Sequence, residues 1–145
     1  MDNIIFENRT ECPLNQNLFL QVYNLFISNG FFTPESKITL IIADSEFVKN
    51  INKKFRGVNN YTDIISFPDN SNEEKYVGDI IIDLKTVVNN KGKNDLESEL
   101  SDVFIHGLLH LAGFDHLADS EADKMEAKEI ELKEQLKGKT SKWSI

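Results

Sequence analysis

Cysteine is almost missing from this chain. Cys12 stands alone among 145 residues, so no internal disulfide framework is available, and it reads as a small core or boundary residue. Long apolar runs are missing as well. The longest aliphatic stretch, Ile38 to Ala43, falls far short of the ~20 residues that span a bilayer. Met1, Asp2 and Asn3 open the chain without a basic region followed by an apolar one, so no secretory signal is expected. These absences together predict a cytoplasmic protein with no membrane contact. Three prolines and seven glycines, with 40% hydrophobic and 28% charged residues, exclude disordered, collagen-like and coiled-coil classes. At this length one domain hides roughly two-thirds of its unfolded surface and needs no metal merely to fold.

Positive charge is also scarce. Sixteen basic residues face twenty-four acidic ones, a net charge of −8, which argues against a bulk nucleic-acid coat. The imbalance is local: Asp95 to Leu136 holds twelve acidic and three basic residues. All three histidines, His106, His110 and His116, lie in that stretch. A cation site would profit from such surroundings.

No internal repeat or long linker interrupts the chain. Strands are expected at Asn3–Glu7, Lys37–Ala43, Thr62–Phe67 and Val77–Asp83, where β-branched and aromatic residues collect. Leu18, Val22, Leu25 and Phe26 are spaced for a helix over Leu14–Ser28. Asp44 suits the N-cap of a helix ending at Phe55, with Gly57 just beyond. Leu84–Asn90 forms a short helix. Asn94 and Glu97 suggest a capping box for the histidine helix, and Asp119–Leu136 a last amphipathic one. The expected fold is α/β (α+β): a single domain over residues 1–136, with one small mixed β-sheet packed against several helices and a zincin-like histidine helix. Residues 137–145 are expected to be a loose tail.

The strongest signal is His106-Gly-Leu-Leu-His110-Leu-Ala-Gly113-Phe-Asp-His116. Positions i and i+4 of a helix share one face, so His106 and His110 can point at one ion. Gly113 can end the helix in a left-handed conformation and turn the chain back, which brings His116 within reach as a third ligand. A lone histidine on a helix is ordinary surface or satisfied core; three at this spacing, with none elsewhere, read as a metal site. Three imidazoles and an open position describe catalytic zinc. Leu108, Leu109 and Leu111 read as core packing. The spacing matches the long metzincin protease motif, but Gly107 stands where those proteases carry their general-base glutamate. That change points to a hydrolase other than a protease, or to a structural metal.

These residues, with two further segments, are similar to the YbeY family of bacterial endoribonucleases. HGLLHLAGFDH from His106 to His116 resembles its histidine string. NKKFRGVNNYTDIISFP from Asn52 to Pro68 resembles its N-x-x-[FY]-R-G-x-x-x-x-T-D-V-L-S-F-P stretch. VGDIII from Val77 to Ile82 resembles its L-G-D-I segment, and Met125 with Glu129 fits M-x-x-x-E. The resemblance implies one Zn2+ per chain held by His106, His110 and His116, with Arg56 as the functional arginine. It implies cleavage of single-stranded RNA in ribosomal RNA maturation, at the 3′ end of 16S rRNA, and in ribosome quality control. The partners it implies are single-stranded RNA, ribosomal RNA or the small ribosomal subunit, and a ribosomal protein or GTPase. One departure is visible: the family often has histidine four residues before the first ligand, where this chain has Asp102. Asp102 lies one turn before His106 and is expected to orient an imidazole.

Arg56 reads as a phosphate clamp, because a guanidinium holds two phosphate oxygens at once. At a helix C-terminus it also reads as a plain dipole-favoured surface charge. Lys49, Lys53 and Arg56 share one helix face opposite Phe47, Ile51 and Phe55; that stripe either tracks an RNA backbone or is a solvated face. Asp63 either holds Arg56 or caps a turn, Thr62 caps a strand start, and Asp79 shapes a turn. Asp115 reads as a turn former or as support for the metal site. Glu129 falls in the middle of the apolar stripe of Ala118, Ala122, Met125, Leu132 and Leu136. A carboxylate buried there needs a partner, expected to be a histidine N–H or another buried polar group; otherwise the stripe breaks and Glu129 is half-exposed. Three functions compete: a zinc-dependent endoribonuclease, a metallopeptidase-like hydrolase weakened by Gly107, and a non-catalytic ribosome-associated module with structural zinc. An open fourth coordination position separates the enzyme from the module.

Overall fold

β-Branched residues at alternate positions build the sheet, and the alternation decides which element covers which face. The computed structural model describes residues 3–55, 59–60, 63–69, 75–114 and 119–143. In chain order these form β1 (Ile4–Asn8), α1 (Gln16–Ser28), β2 (Lys37–Ala43), α2 (Ser45–Phe55), β3 (Asn59–Asn60) and β4 (Ile64–Pro68). They continue with β5 (Tyr76–Asp83), α3 (Leu84–Asn90), α4 (Leu96–Leu111) and α5 (Asp119–Trp143). The five strands lie in the order β1-β2-β5-β4-β3. β1, β2 and β5 run parallel, while β4 is antiparallel to β5 and β3 to β4. The fold is the expected α/β class with one mixed sheet.

On one face, Ile38, Leu40, Ile42, Ile64, Ile80 and Ile82 are buried against residues of α1, α4 and α5. There Phe19 stacks on Phe6 and meets Phe104 edge-on, with ring centroids 5.5 and 5.3 Å apart. On the other face, Ala43, Ile65 and Ile81 join Val48 in a smaller cluster against which Phe47 and Ile51 of α2 pack. Residues two apart on a strand point the same way, so one isoleucine-rich strand feeds both layers. Among the described residues no helix is long and apolar enough to cross a membrane.

Element ends differ from the sequence expectation where side-chain capping decides them. Asp95, not Asn94, caps α4, accepting from the Ser98 amide at 2.7 Å. That contact, with the Ser98 hydroxyl, holds the exposed Asp95 carboxyl below its ordinary range. Asp44 caps α2 through the Phe47 amide at 3.0 Å. α5 continues past its expected end at Leu136, to Trp143. Residues 134–143 contain no proline, and lysines near a helix C-terminus suit its dipole. β3 was not expected, since two asparagines carry no strand signal; register with Ser66 and Ile65 of β4 makes them one. Gly57 and Thr62 lie outside the described residues.

Asp83 joins three elements. At the end of β5, with only 4% of its surface exposed, it caps α3 through the Thr86 amide and hydroxyl at 3.2 and 2.9 Å. It also accepts from the Ser45 hydroxyl of α2 at 2.9 Å. Replacing it strands two hydroxyls and an amide, so Asp83→Ala should lose about 2 kcal/mol in urea unfolding. Asp83→Asn, which keeps an acceptor oxygen, should lose less.

The Tyr23 hydroxyl is fully buried. It ends beside Ser36 without completing a hydrogen bond; Ser36 Oγ already sits 2.9 Å from both the amide and the hydroxyl of Thr33. Burial pushes its pKa up to about 12. Burial and the neighbouring Asp79 carboxylate do the same to Tyr76. A raised folded-state pKa favours the neutral phenol, so stability is intact below pH 10.0 and falls as pH rises toward about 12. Tyr23→Phe should keep its stability at neutral pH and show a shallower alkaline decline in pH-dependent urea titrations.

Candidate metal and catalytic site

α4 presents Asp102, His106 and His110 one turn apart along one side. α5 runs antiparallel beside it and supplies two partners. Glu129 Oε1 lies 2.7 Å from His106 Nδ1, and Lys133 Nζ lies 3.7 Å from Asp102 Oδ2. One turn on α4 matches one turn on α5, so the two contacts form successive rungs. Glu129 thus meets the histidine N–H, with 20% of its side chain exposed. Asp102, one turn before His106, pairs with Lys133, while Glu129 takes Nδ1 of His106.

His110 is 8% exposed and points its Nδ1 at the Phe114 carbonyl, 3.0 Å away. That carbonyl is available because the chain leaves α4 at Gly113, whose φ of +102° suits glycine best. A carboxylate and a carbonyl only accept, so both histidines donate from Nδ1. Their Nε2 atoms then face each other, 3.1 Å apart, with ring planes at 74°. In neutral rings these are two lone pairs aimed together, which either a proton on one ring or a shared cation relieves. Two nitrogens on one tetrahedral zinc at about 2.0–2.1 Å lie about 3.3 Å apart. The observed spacing is within a few tenths of an ångström of that value, and the donor set fits a divalent cation. Among the described residues no group of three His, Cys, Asp or Glu side chains gathers to hold a metal; His116 and Asp115 lie outside them.

Gly107 explains why this helix sits where it does. A Cβ there would come within 2.5 Å of Ile64 Cδ1 and 3.3 Å of Ile80 Cδ1 and Ser66 Oγ. The Ser66 hydroxyl reaches the Gly107 carbonyl at 3.4 Å. The position where a zinc protease carries its general base is therefore pressed into the sheet and faces away from the histidine nitrogens.

Beside His106 a solvent-open cavity of about 260 Å³ is lined by Asp63, Ile64, Glu99, Asp102, Val103, His106, Glu129 and Lys133. Burial pushes the Asp63 carboxyl up, against its own backbone amide and His106. Burial also raises Asp102, against Lys133. Asp63 comes here because it precedes β4, where its carbonyl accepts the Asp83 amide at 2.9 Å. A larger hollow of about 400 Å³, lined by Leu18, Gln21 and Leu136 among others, shares Asp102 and Lys133 with this cavity and does not include His106. Lys49 and Lys53 are exposed on α2, on the opposite face of the sheet from α4, so the structure does not bring them to the histidines. Arg56 lies outside the described residues. Two participants escaped the sequence reading. The Phe114 carbonyl carries no side-chain signal at all. Lys133 is legible only once the two helices are paired.

Known proteins match the chain closely. The family profile described as "Endoribonuclease YbeY" covers residues 4–137. "Endoribonuclease YbeY" of Francisella tularensis subsp. tularensis (strain FSC 198) is 38% identical, over 92% of this chain and 85% of its own. That of Nautilia profundicola is 35% identical, over 89% and 88%. The solution structure of TM1509 from Thermotoga maritima superposes with a TM-score of 0.62 at 27% identity, covering 96% of this chain and 92% of that one.

Installing the protease carboxylate tests the packing at the helix. Gly107→Glu should cost about 3 kcal/mol or more in chemical denaturation, because a charge is forced between helix and sheet. It should create no peptidase activity.

Proposed function

The chain belongs to the YbeY endoribonuclease family, and from that premise we propose that it is a zinc-dependent, single-strand-specific endoribonuclease acting in ribosomal RNA maturation, at the 3′ end of 16S rRNA, and in ribosome quality control. The reading is supported above all by the two Nε2 atoms 3.1 Å apart with both Nδ1 atoms engaged elsewhere. His106 and His110, with His116 as third ligand, would hold the ion. When bound, zinc would lower the pKa of a water toward ~7 and polarise a phosphate oxygen.

The protein's own residues do the rest. Glu129 fixes the tautomer and rotation of His106, and the Phe114 carbonyl does so for His110. Arg56 would grip the scissile phosphate and stabilise its developing charge. Lys49 and Lys53, exposed on α2 across the sheet from the histidines, would hold only a more distant stretch of the RNA backbone. A peptidase reading loses ground at Gly107, where there is no room for a general base, and at Glu129, which is committed to His106.

The purified protein should cleave a single-stranded oligoribonucleotide, stop when stripped by a chelator, and recover with zinc. His110→Ala and Arg56→Ala should each lower kcat by at least about a hundredfold. Glu129→Gln should weaken zinc about tenfold to a hundredfold in competition with a chromophoric chelator. RNA cleavage undiminished in His110→Ala would overturn the assignment.

A further inference from the structure

The cavity beside His106 has a chemistry of its own. Four carboxylates, those of Asp63, Glu99, Asp102 and Glu129, face one ammonium, Lys133. Away from His106, at the Asp102–Lys133 end, such a lining disfavours phosphate, so the part of a nucleotide that suits that end is the uncharged base. Ile64 and Val103, both buried, give the cavity an apolar part against which a ring can pack. At the edge, Asp102 and Lys133 stand 3.7 Å apart with 43% and 34% of their side chains exposed. That spacing is longer than a closed charge-assisted hydrogen bond, and an exposed ion pair of this kind is weak. The carboxylate keeps acceptor positions and the ammonium keeps donors for a ligand.

An acceptor pair next to a donor selects among the bases. Every base offers a donor beside an acceptor on its Watson–Crick edge. Guanine alone offers two adjacent donors, N1–H and the N2 amino group, next to an acceptor, O6. Both oxygens of one carboxylate can take those donors while an ammonium reaches O6. Single-stranded RNA presents these edges freely, because its bases are splayed out of any duplex. We propose that the cavity edged by Asp102 and Lys133 is a base-recognition subsite that receives an unstacked guanine of the RNA strand beside the cleavage site. This inference rests on the endoribonuclease reading of the histidine pair.

The test uses short uridine oligoribonucleotides carrying one central guanosine, adenosine, cytidine or inosine. Cleavage by the zinc-loaded protein gives kcat/KM. Fluorescence anisotropy with the His110→Ala protein gives Kd. Guanosine should be preferred over the other bases by about tenfold in both quantities, and inosine, which lacks the N2 amino group, should forfeit most of that gain. Asp102→Asn and Lys133→Met should each bring the guanosine-to-adenosine ratio toward one, a change that a merely structural role for the pair would not produce. Equal values for all the bases, or a guanosine preference left intact in both variants, would overturn the proposal. The two readings fail separately. Cleavage that survives in His110→Ala removes the catalytic assignment, while the anisotropy comparison still decides the base pocket.

Discussion

The contact at Gly107 orients everything else in the site. With no side chain at that position, α4 lies against the side chains of Ile64, Ile80 and Ser66. A helix advances 100° per residue, so fixing Gly107 toward the sheet fixes the directions of its neighbours. His106, one residue back, and His110, three residues on, both turn toward α5 and the open side. The donor pair therefore depends on the packing of a residue that takes no part in any chemistry. Close packing also makes the arrangement stiff, because the surrounding isoleucines are 2% exposed or less and have no space to yield.

Support for the histidines comes from two different kinds of structure. Glu129 belongs to a long helix, and its carboxylate is placed by the packing of Met125 and Leu132, which are 2% and 0% exposed. The Phe114 carbonyl belongs to the turn after Gly113, and backbone geometry places it. One ring is held by helix packing and the other by a turn, yet both end with the same nitrogen donating and the same nitrogen aimed at a common point.

Much of this was legible in the sequence, and the reasons for the rest are physical. The unbroken β-branched run Ile80-Ile81-Ile82 marks β5 without help from tertiary structure. Positions i and i+4 place His106 and His110 together because helix geometry is local, and Glu129 stood out because a carboxylate in an apolar stripe demands a partner. The Asp102–Lys133 pair could not be read, since the two residues lie thirty-one positions apart and only helix pairing brings them together. β3 was hidden because its residues have no strand propensity and pair only through β4. The continuation of α5 to Trp143 was missed because a run of lysines and polar residues without an apolar stripe gives no periodic signal, although nothing in it opposes a helix.

The alternating charges along α4 and α5 have a further effect. Asp102 meets Lys133, and one turn later His106 meets Glu129. Were α5 to slide by a turn in one direction, Glu129 would confront Asp102, carboxylate against carboxylate. A slide in the other direction would bring Lys133 up to His106, a cation against a ring meant to share its lone pair with one. The charges therefore reinforce, on the open side, the alignment of the two helices that the buried Met125 and Leu132 set by packing.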